Sequence, residues 1–271
     1  MSVYDQILKA RADMTDWVIH WTRDSAKGLA LDNLKSIYEA GVILPGFALR
    51  GRPESRTIYG PDPAVCFSEQ PLREFAEYVR IRDDSRSVTG YGVAINKKDL
   101  FSEGGLPVVS GLEKPYSLEK GAPDFVEAQR SLHPQLGLPW HEQYRFVNFN
   151  LHREPPSDWT HEREWRWKKQ THIGIDGFPF AGSGASSTSL GMSKGRFAFV
   201  VESDKDIASV RSWGLDTVRA QIGRRRYGER YDLYLETLYL PKLIGARIFS
   251  LETVRRECAA GRDLFAKIET Q

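Results

Sequence analysis

Cysteine is nearly absent: the 271 residues contain two, Cys66 and Cys258. Two cysteines build neither a disulfide framework nor a four-cysteine zinc site, and such sparing use fits a reducing cytosol. Long apolar runs are also missing. No stretch approaches the ~20 apolar residues of a membrane span, and Met1 to Asp16 has no apolar core of a secretory signal. The expectation is a cytoplasmic protein without a membrane segment. Charge of one sign is lacking too. Thirty-eight Lys plus Arg against 36 Asp plus Glu leave a net +2, which excludes a polycationic tail and an acidic solvating tail.

Several signatures of chemistry are absent as well. There is no phosphate-binding G-x-x-x-x-G-K-[ST] loop and no G-x-G-x-x-G after a strand. Gly182-Ser183-Gly184 opens like a glycine-rich loop but lacks the third glycine and reads as a plain flexible loop. His161-Glu162 begins like a zinc-protease motif. That motif needs a second histidine one helical turn on, where Trp165 stands instead. Asp158, Glu162, Glu164 and Lys168 form a carboxylate and lysine cluster of the kind metal-dependent nucleases use, at a spacing that fits no template.

What is present suffices for a full core: 41% of the residues are hydrophobic and 11% aromatic. Trp17 to Trp21 reads as a short strand, and Leu31 to Ala40 as a helix capped by Asp32 or Asn33 and ended by Gly41. Gly46 to Pro63 is a loop by composition. Ala64 to Phe67 is a strand, Pro71 to Arg82 a helix, Tyr91 to Asn96 a strand and Leu106 to Val109 a weaker one. A helix is expected within Asp124 to Leu132. In Glu164 to Lys168, tryptophan alternates with charge, which predicts a strand with one wet, charged face and with Trp165 and Trp167 on its buried face. Gly182 to Gly195 is flexible by composition. Beyond it come a strand at Arg196 to Val201, helices at Asp204 to Trp213 and Gly214 to Gly223, strands at Thr237 to Pro241 and Ala246 to Phe249, and a helix at Leu251 to Ala260. Regular βαβ spacing is missing, so the fold class is α+β. Residues 1–271 read as one domain, with a mainly helical part from about residue 204.

Three motifs sit at strand edges: His20-Trp21-Thr22, Cys66-Phe67-Ser68-Glu69 and Glu162-Arg163-Glu164-Trp165-Arg166. Singly each has a plain explanation. A strand-end histidine is commonly a hydrogen-bonded structural residue, and Glu-Arg-Glu is commonly a solvated charged face. Together, in this order, they resemble a known family. His-x-Thr followed by the helix Asn33-Leu34-x-x-Ile37-x-x-x-Gly41 resembles the opening of ADP-ribosyltransferase-fold proteins of the DarT type. The further motifs, with Tyr91-Gly92-Val93 and Gly105-Leu106-Pro107-Val108, are similar to bacterial abortive-infection proteins of the AbiGi-like kind. The resemblance covers roughly residues 17–168.

The resemblance implies a split, curved sheet around an NAD cleft with flanking helices, and an NAD-consuming transferase of toxin or anti-phage type. His20 would bond a ribose hydroxyl of NAD and Thr22 would support the same region. Phe67 or Tyr91 would pack on the nicotinamide, and Ser68 would support the site. An arginine after the first helix is also implied; Arg50, Arg52 and Arg56 compete for it, with Arg52 preferred. No metal is implied, and a cognate antitoxin or inhibitor is an implied partner.

Glu164 is the expected catalytic carboxylate on physical grounds as well. Cleaving the nicotinamide–ribose bond builds positive charge on the sugar, which a fixed carboxylate stabilises. If Glu162 lies on the same strand, both carboxylates share a face and divide the work between donor and acceptor. Arg163 would then point with the tryptophans, so Glu162 in the preceding loop is the alternative. The resemblance implies that residues 151–161, the loop before this strand, would face the acceptor. Arg153, Trp159 and His161 there suit a single-stranded base, and the arginines between Arg219 and Arg230 suit a phosphate backbone. A nucleic acid acceptor is therefore expected. The rivals are NAD hydrolysis without an acceptor, a metal-dependent nuclease, and a non-enzymatic module whose carboxylates merely pair with Arg163 and Arg166.

Overall fold

The computed structural model describes residues 11, 13–26, 28–48, 56–112, 131–132, 134–152, 154, 156–169, 177–178, 197–213, 219, 243 and 246–260. Strand β1 is Trp17–Trp21. Helix α1, Ala30–Ala40, buries Leu34 and Tyr38 one turn apart. The expected caps Asp32 and Asn33 both lie inside the helix, and the N-cap is Leu29. Asp32 reaches back to accept from the Leu29 N–H at 3.3 Å, and Asp24 accepts from the Ala30 N–H at 2.8 Å. These carboxylates satisfy the N-cap and first helical N–H groups, which have no partner within the helix. Gly41 ends the helix in the left-handed region, at φ 70°, with its N–H on the Ile37 carbonyl.

Strand β2 is Ala64–Ser68 and helix α2 is Leu72–Arg82, with Leu72, Phe75, Ala76 and Val79 buried. Strand β3, Gly92–Asn96, leads straight into helix α3, Lys97–Ser102. The periodicity gives no sign of α3, because six residues are too few for a period. Its one local signal is the Asn96 side chain, which accepts from the Lys98 N–H at 3.1 Å. The weak strand expected at Leu106 to Val109 is instead two strands in different sheets, β4 (Leu106–Pro107) and β5 (Val109–Gly111). The last bond to β7 is made just past Pro107, by the Val108 N–H on the Glu164 carbonyl at 3.0 Å.

Strand β6 is Phe146–Asn148, β7 Glu164–Lys168 and β8 Phe197–Val201. Helix α4 is Asp204–Ser212, β9 Arg247–Ser250 and α5 Leu251–Ala259. The expected Gly/Ser segment at 182–195 and the strand at 237–241 lie outside the described residues. So do nearly all of the expected helices at 124–132 and 214–223.

Seven strands form one sheet in the order β4-β7-β2-β1-β3-β8-β9. Its neighbours are antiparallel except β8 and β9. Strands β5 and β6 pair separately, in parallel. The fold is mixed α+β around a large, mostly antiparallel sheet. Among the described residues no helix is long and apolar enough to cross a membrane.

Strand alternation divides the sheet into two faces. On the first, Val18, Phe67, Val93, Trp167 and Phe199 pack with Leu34 and Tyr38 of α1. On the second, Ile19, Ala94 and Val200 pack with Phe75 and Val79 of α2 and Leu251 and Val254 of α5. Trp165 and Trp167 join the first face, as the alternation of β7 predicts. Glu164, Arg166 and Lys168 therefore belong to the second.

Candidate active site

Strand β1 pairs with β3 at five positions but with β2 at one, Ile19 opposite Ser68. The sheet thus opens between β1 and β2 beyond that rung. His20 spans the opening: its Nδ1 lies 2.9 Å from the Cys66 carbonyl. A carbonyl only accepts, so Nδ1 carries the hydrogen and the neutral ring keeps Nε2 as an acceptor. Burial lowers the His20 pKa, the bond to Cys66 opposes that shift, and Arg23 adds to it. Because the unfolded chain binds this proton more readily, the contribution of His20 to stability is intact above about pH 6.5 and lost on acidification. Urea midpoints taken at pH 7.5 and 5.5 should fall further for the wild type than for His20→Asn, which keeps a donor for Cys66. The difference should not exceed about 1.4 kcal/mol per pH unit.

The other residues expected around His20 follow from the same strands. Thr22 Oγ1 reaches the Ala30 carbonyl at 2.9 Å and the Tyr91 carbonyl at 3.1 Å, tying the end of β1 to the start of α1. Phe67 is 2% exposed, beneath His20 at 6.0 Å and against Phe178 at 5.3 Å between ring centroids. Tyr91 packs on the first face and donates its hydroxyl to Asp206 at 3.0 Å. Arg52 and Arg50 lie outside the described residues. Arg56 is buried, with Nε on the Ile58 carbonyl at 2.9 Å and its guanidinium 4.0 Å over the Phe47 ring. It braces its own loop.

Glu164 opens β7 directly opposite Ser68, so Ile19, Ser68 and Glu164 form one rung on the second face. His20 belongs to the next rung, opposite Val93 on the first face. The expected residues therefore form two sets, one on each side of the sheet, meeting where β1 and β2 part. Ser68 does not touch the carboxylate through its hydroxyl, which bonds the Glu162 carbonyl at 2.8 Å.

Arg166 holds Glu164 with two parallel bonds, Nε to Oε1 at 2.7 Å and Nη2 to Oε2 at 3.1 Å. Its Nη1 donates to the carbonyls of Tyr144 and Phe146 at 2.6 and 3.1 Å. A carboxylate has about four acceptor directions, so Arg166 aligns Glu164 and leaves acceptor capacity unused. Burial pushes the Cys66 thiol well up, and the neighbouring Glu164 adds to the shift. Cys66 is thus a protonated thiol, and a small maleimide at pH 7.5 should modify it at least tenfold more slowly than an unhindered thiol.

Glu162 does not share the strand face. It lies in a short helical turn, Thr160–Glu162, and Arg163 breaks from that turn into β7 at φ 45°. Arg163 pairs not with either glutamate but with Asp13, at 2.8 Å. Trp159, His161 and Tyr78 of α2 form a row, with ring centroids 6.2 and 5.4 Å apart. Burial raises the Tyr78 phenol pKa, and Glu162 raises it further. Tyr78 has no signal in the sequence, where it reads as one more residue of an amphipathic helix. Arg153 lies outside the described residues, and of the arginines from 219 to 230 only the exposed Arg219 is described. Among the described residues no group of three or more His, Cys, Asp or Glu side chains is arranged to hold a metal ion. Compared with known family models, with curated proteins and with solved structures, the chain matches none of them.

Proposed function

We propose that this protein is an NAD-dependent ADP-ribosyltransferase of toxin or anti-phage type, with a nucleic acid as acceptor, built on the split-sheet ADP-ribosyltransferase fold. The observation that carries the reading is the rung Ile19–Ser68–Glu164. It is the one position at which β1 and β2 pair, and it sets an aligned carboxylate across β2 from β1, one rung from His20 and on the opposite face of the sheet. In this reading His20 Nε2 accepts from a ribose hydroxyl. Glu164 faces the sugar carbon that gains positive charge as nicotinamide leaves. Glu162, two residues away in the turn, takes the proton of the attacking acceptor. The row Trp159–His161–Tyr78 suits an unpaired base, since bases stack on aromatic rings. Cytoplasmic location and an antitoxin or inhibitor partner belong to the same proposal.

One observation favours a second reading. The two bonds from buried Arg166 are also what a purely structural ion pair would show, and they fit a non-enzymatic module. The test is the purified protein with labelled NAD, in the presence and in the absence of chelator, offered single-stranded DNA, RNA or lysate protein in separate tubes. Label is expected on a nucleic acid pool. Label on protein would replace the acceptor. Free nicotinamide with no labelled pool would point to NAD hydrolysis. Intact NAD in every tube would sink the reading, and cleaved nucleic acid that chelator prevents would install the nuclease.

A further inference from the structure

Glu69, the residue after Ser68, touches both flanks of Glu164. Its backbone N–H bonds the carbonyls of Glu162 and Arg163 at 3.2 and 3.3 Å. Its side chain accepts from Trp165 Nε1 at 2.7 Å through Oε2 and from Lys97 Nζ at 2.6 Å through Oε1. Lys97 also donates to the Thr15 carbonyl at 2.9 Å, and its backbone N–H bonds the Asp16 carbonyl at 2.7 Å. One residue thus holds the two positions before Glu164 and the one after it. Glu164 itself points to the other face, toward Arg166.

The pair is buried, with side chains 7% and 12% exposed. Ion pairs so buried are seldom the most stable filling of their site, because desolvation offsets the attraction. They fix geometry instead, and geometry here needs fixing. Arg163 sits at φ 45°, a conformation that costs a non-glycine residue energy. Its carbonyl is held by the Glu69 N–H, and the next residue is Glu164.

We propose that Glu69, with Lys97 as its counter-ion, is the positioning residue for Glu164: its bonds to residues 162, 163 and 165 set the start of β7 and the aim of the carboxylate. The catalytic part of this rests on the transferase reading, whereas the geometric part does not.

Two variants test it. Trp165→Phe removes the indole donor along with part of the ring that packs on the first face. Glu69→Gln/Lys97→Met removes both charges together, so no uncompensated ion stays buried. Two signals are read in each: kcat and KM for nicotinamide release, and the NMR resonance of the Arg166 Nε–H, which reports its bond to Glu164 without any turnover. The expected result is a kcat about tenfold lower for Trp165→Phe and about 100-fold lower for the double variant. KM for NAD should stay within about twofold, and the Arg166 resonance should move toward its position in Glu164→Gln. An unmoved resonance in the folded variants overturns the proposal, as does a kcat loss that only tracks the unfolded fraction. A displaced resonance in a protein that turns over no NAD upholds the positioning and removes the transferase reading.

Discussion

Arg166→Met should lower stability by about 3–5 kcal/mol, read as a fall in the urea midpoint. The guanidinium is 4% exposed and its partner carboxylate 11%. Without the cation, Glu164 is left charged where water cannot replace the lost bonds. The carbonyls of Tyr144 and Phe146 lose their donor as well. The double variant Glu164→Gln/Arg166→Met separates the two losses. It removes the stranded charge but not the stranded carbonyls, so it should recover about half of the deficit. If the double variant is no more stable than Arg166→Met alone, the charge of Glu164 is not what Arg166 compensates, and its close alignment has no electrostatic purpose.

That ion pair also marks where sequence reading stopped. The alternation Glu164-Trp165-Arg166-Trp167-Lys168 identifies a strand and its buried face, because a period of two needs only five residues to be seen. It does not reveal that Arg166, on the charged face, is buried too. Arg166 is enclosed by carbonyls from the segment at 144–146, and that segment shows no strand pattern because β6 is only three residues long. Gly41 and the helix before it were legible from local chemistry: a left-handed stop after an apolar stripe. The faces of His20 and Glu164 were not. Which side of a sheet a residue takes depends on the pairing register of its strand, and a slip of one residue moves every side chain across. Register joins β1, β2 and β7 over more than 140 positions of sequence, from His20 to Glu164. The pairing of Glu69 with Lys97 escaped for a related reason, although Glu69 stands in the motif Cys66-Phe67-Ser68-Glu69. Each is an ordinary surface residue by composition, and only the fold brings the end of β2 against the start of α3. Glu162 was open to two placements, and the left-handed Arg163 decides for the turn.

Glu164→Gln should reduce nicotinamide release by about 10²–10³-fold while KM for NAD changes little. The substitution keeps the shape of the side chain and leaves an oxygen for Arg166, so it removes charge from the point where charge develops in the transition state. In the transferase reading, binding of NAD in the ground state draws on other groups, His20 among them, so KM is the wrong place to look for the effect. Stability will fall by about 3 kcal/mol or more because buried Arg166 loses its counter-ion, and the comparison therefore belongs at a temperature well below melting. Cys66 supplies an internal check that the change is local. Glu164 is one of the groups that hold its thiol protonated, so alkylation of Cys66 should quicken in the folded variant. Faster alkylation with unchanged nicotinamide release would mean that the carboxylate was removed from its place and was not needed for the chemistry. Glu164 would then be the counter-ion of Arg166 and nothing more, and the catalytic group would have to be sought in the turn that carries Glu162.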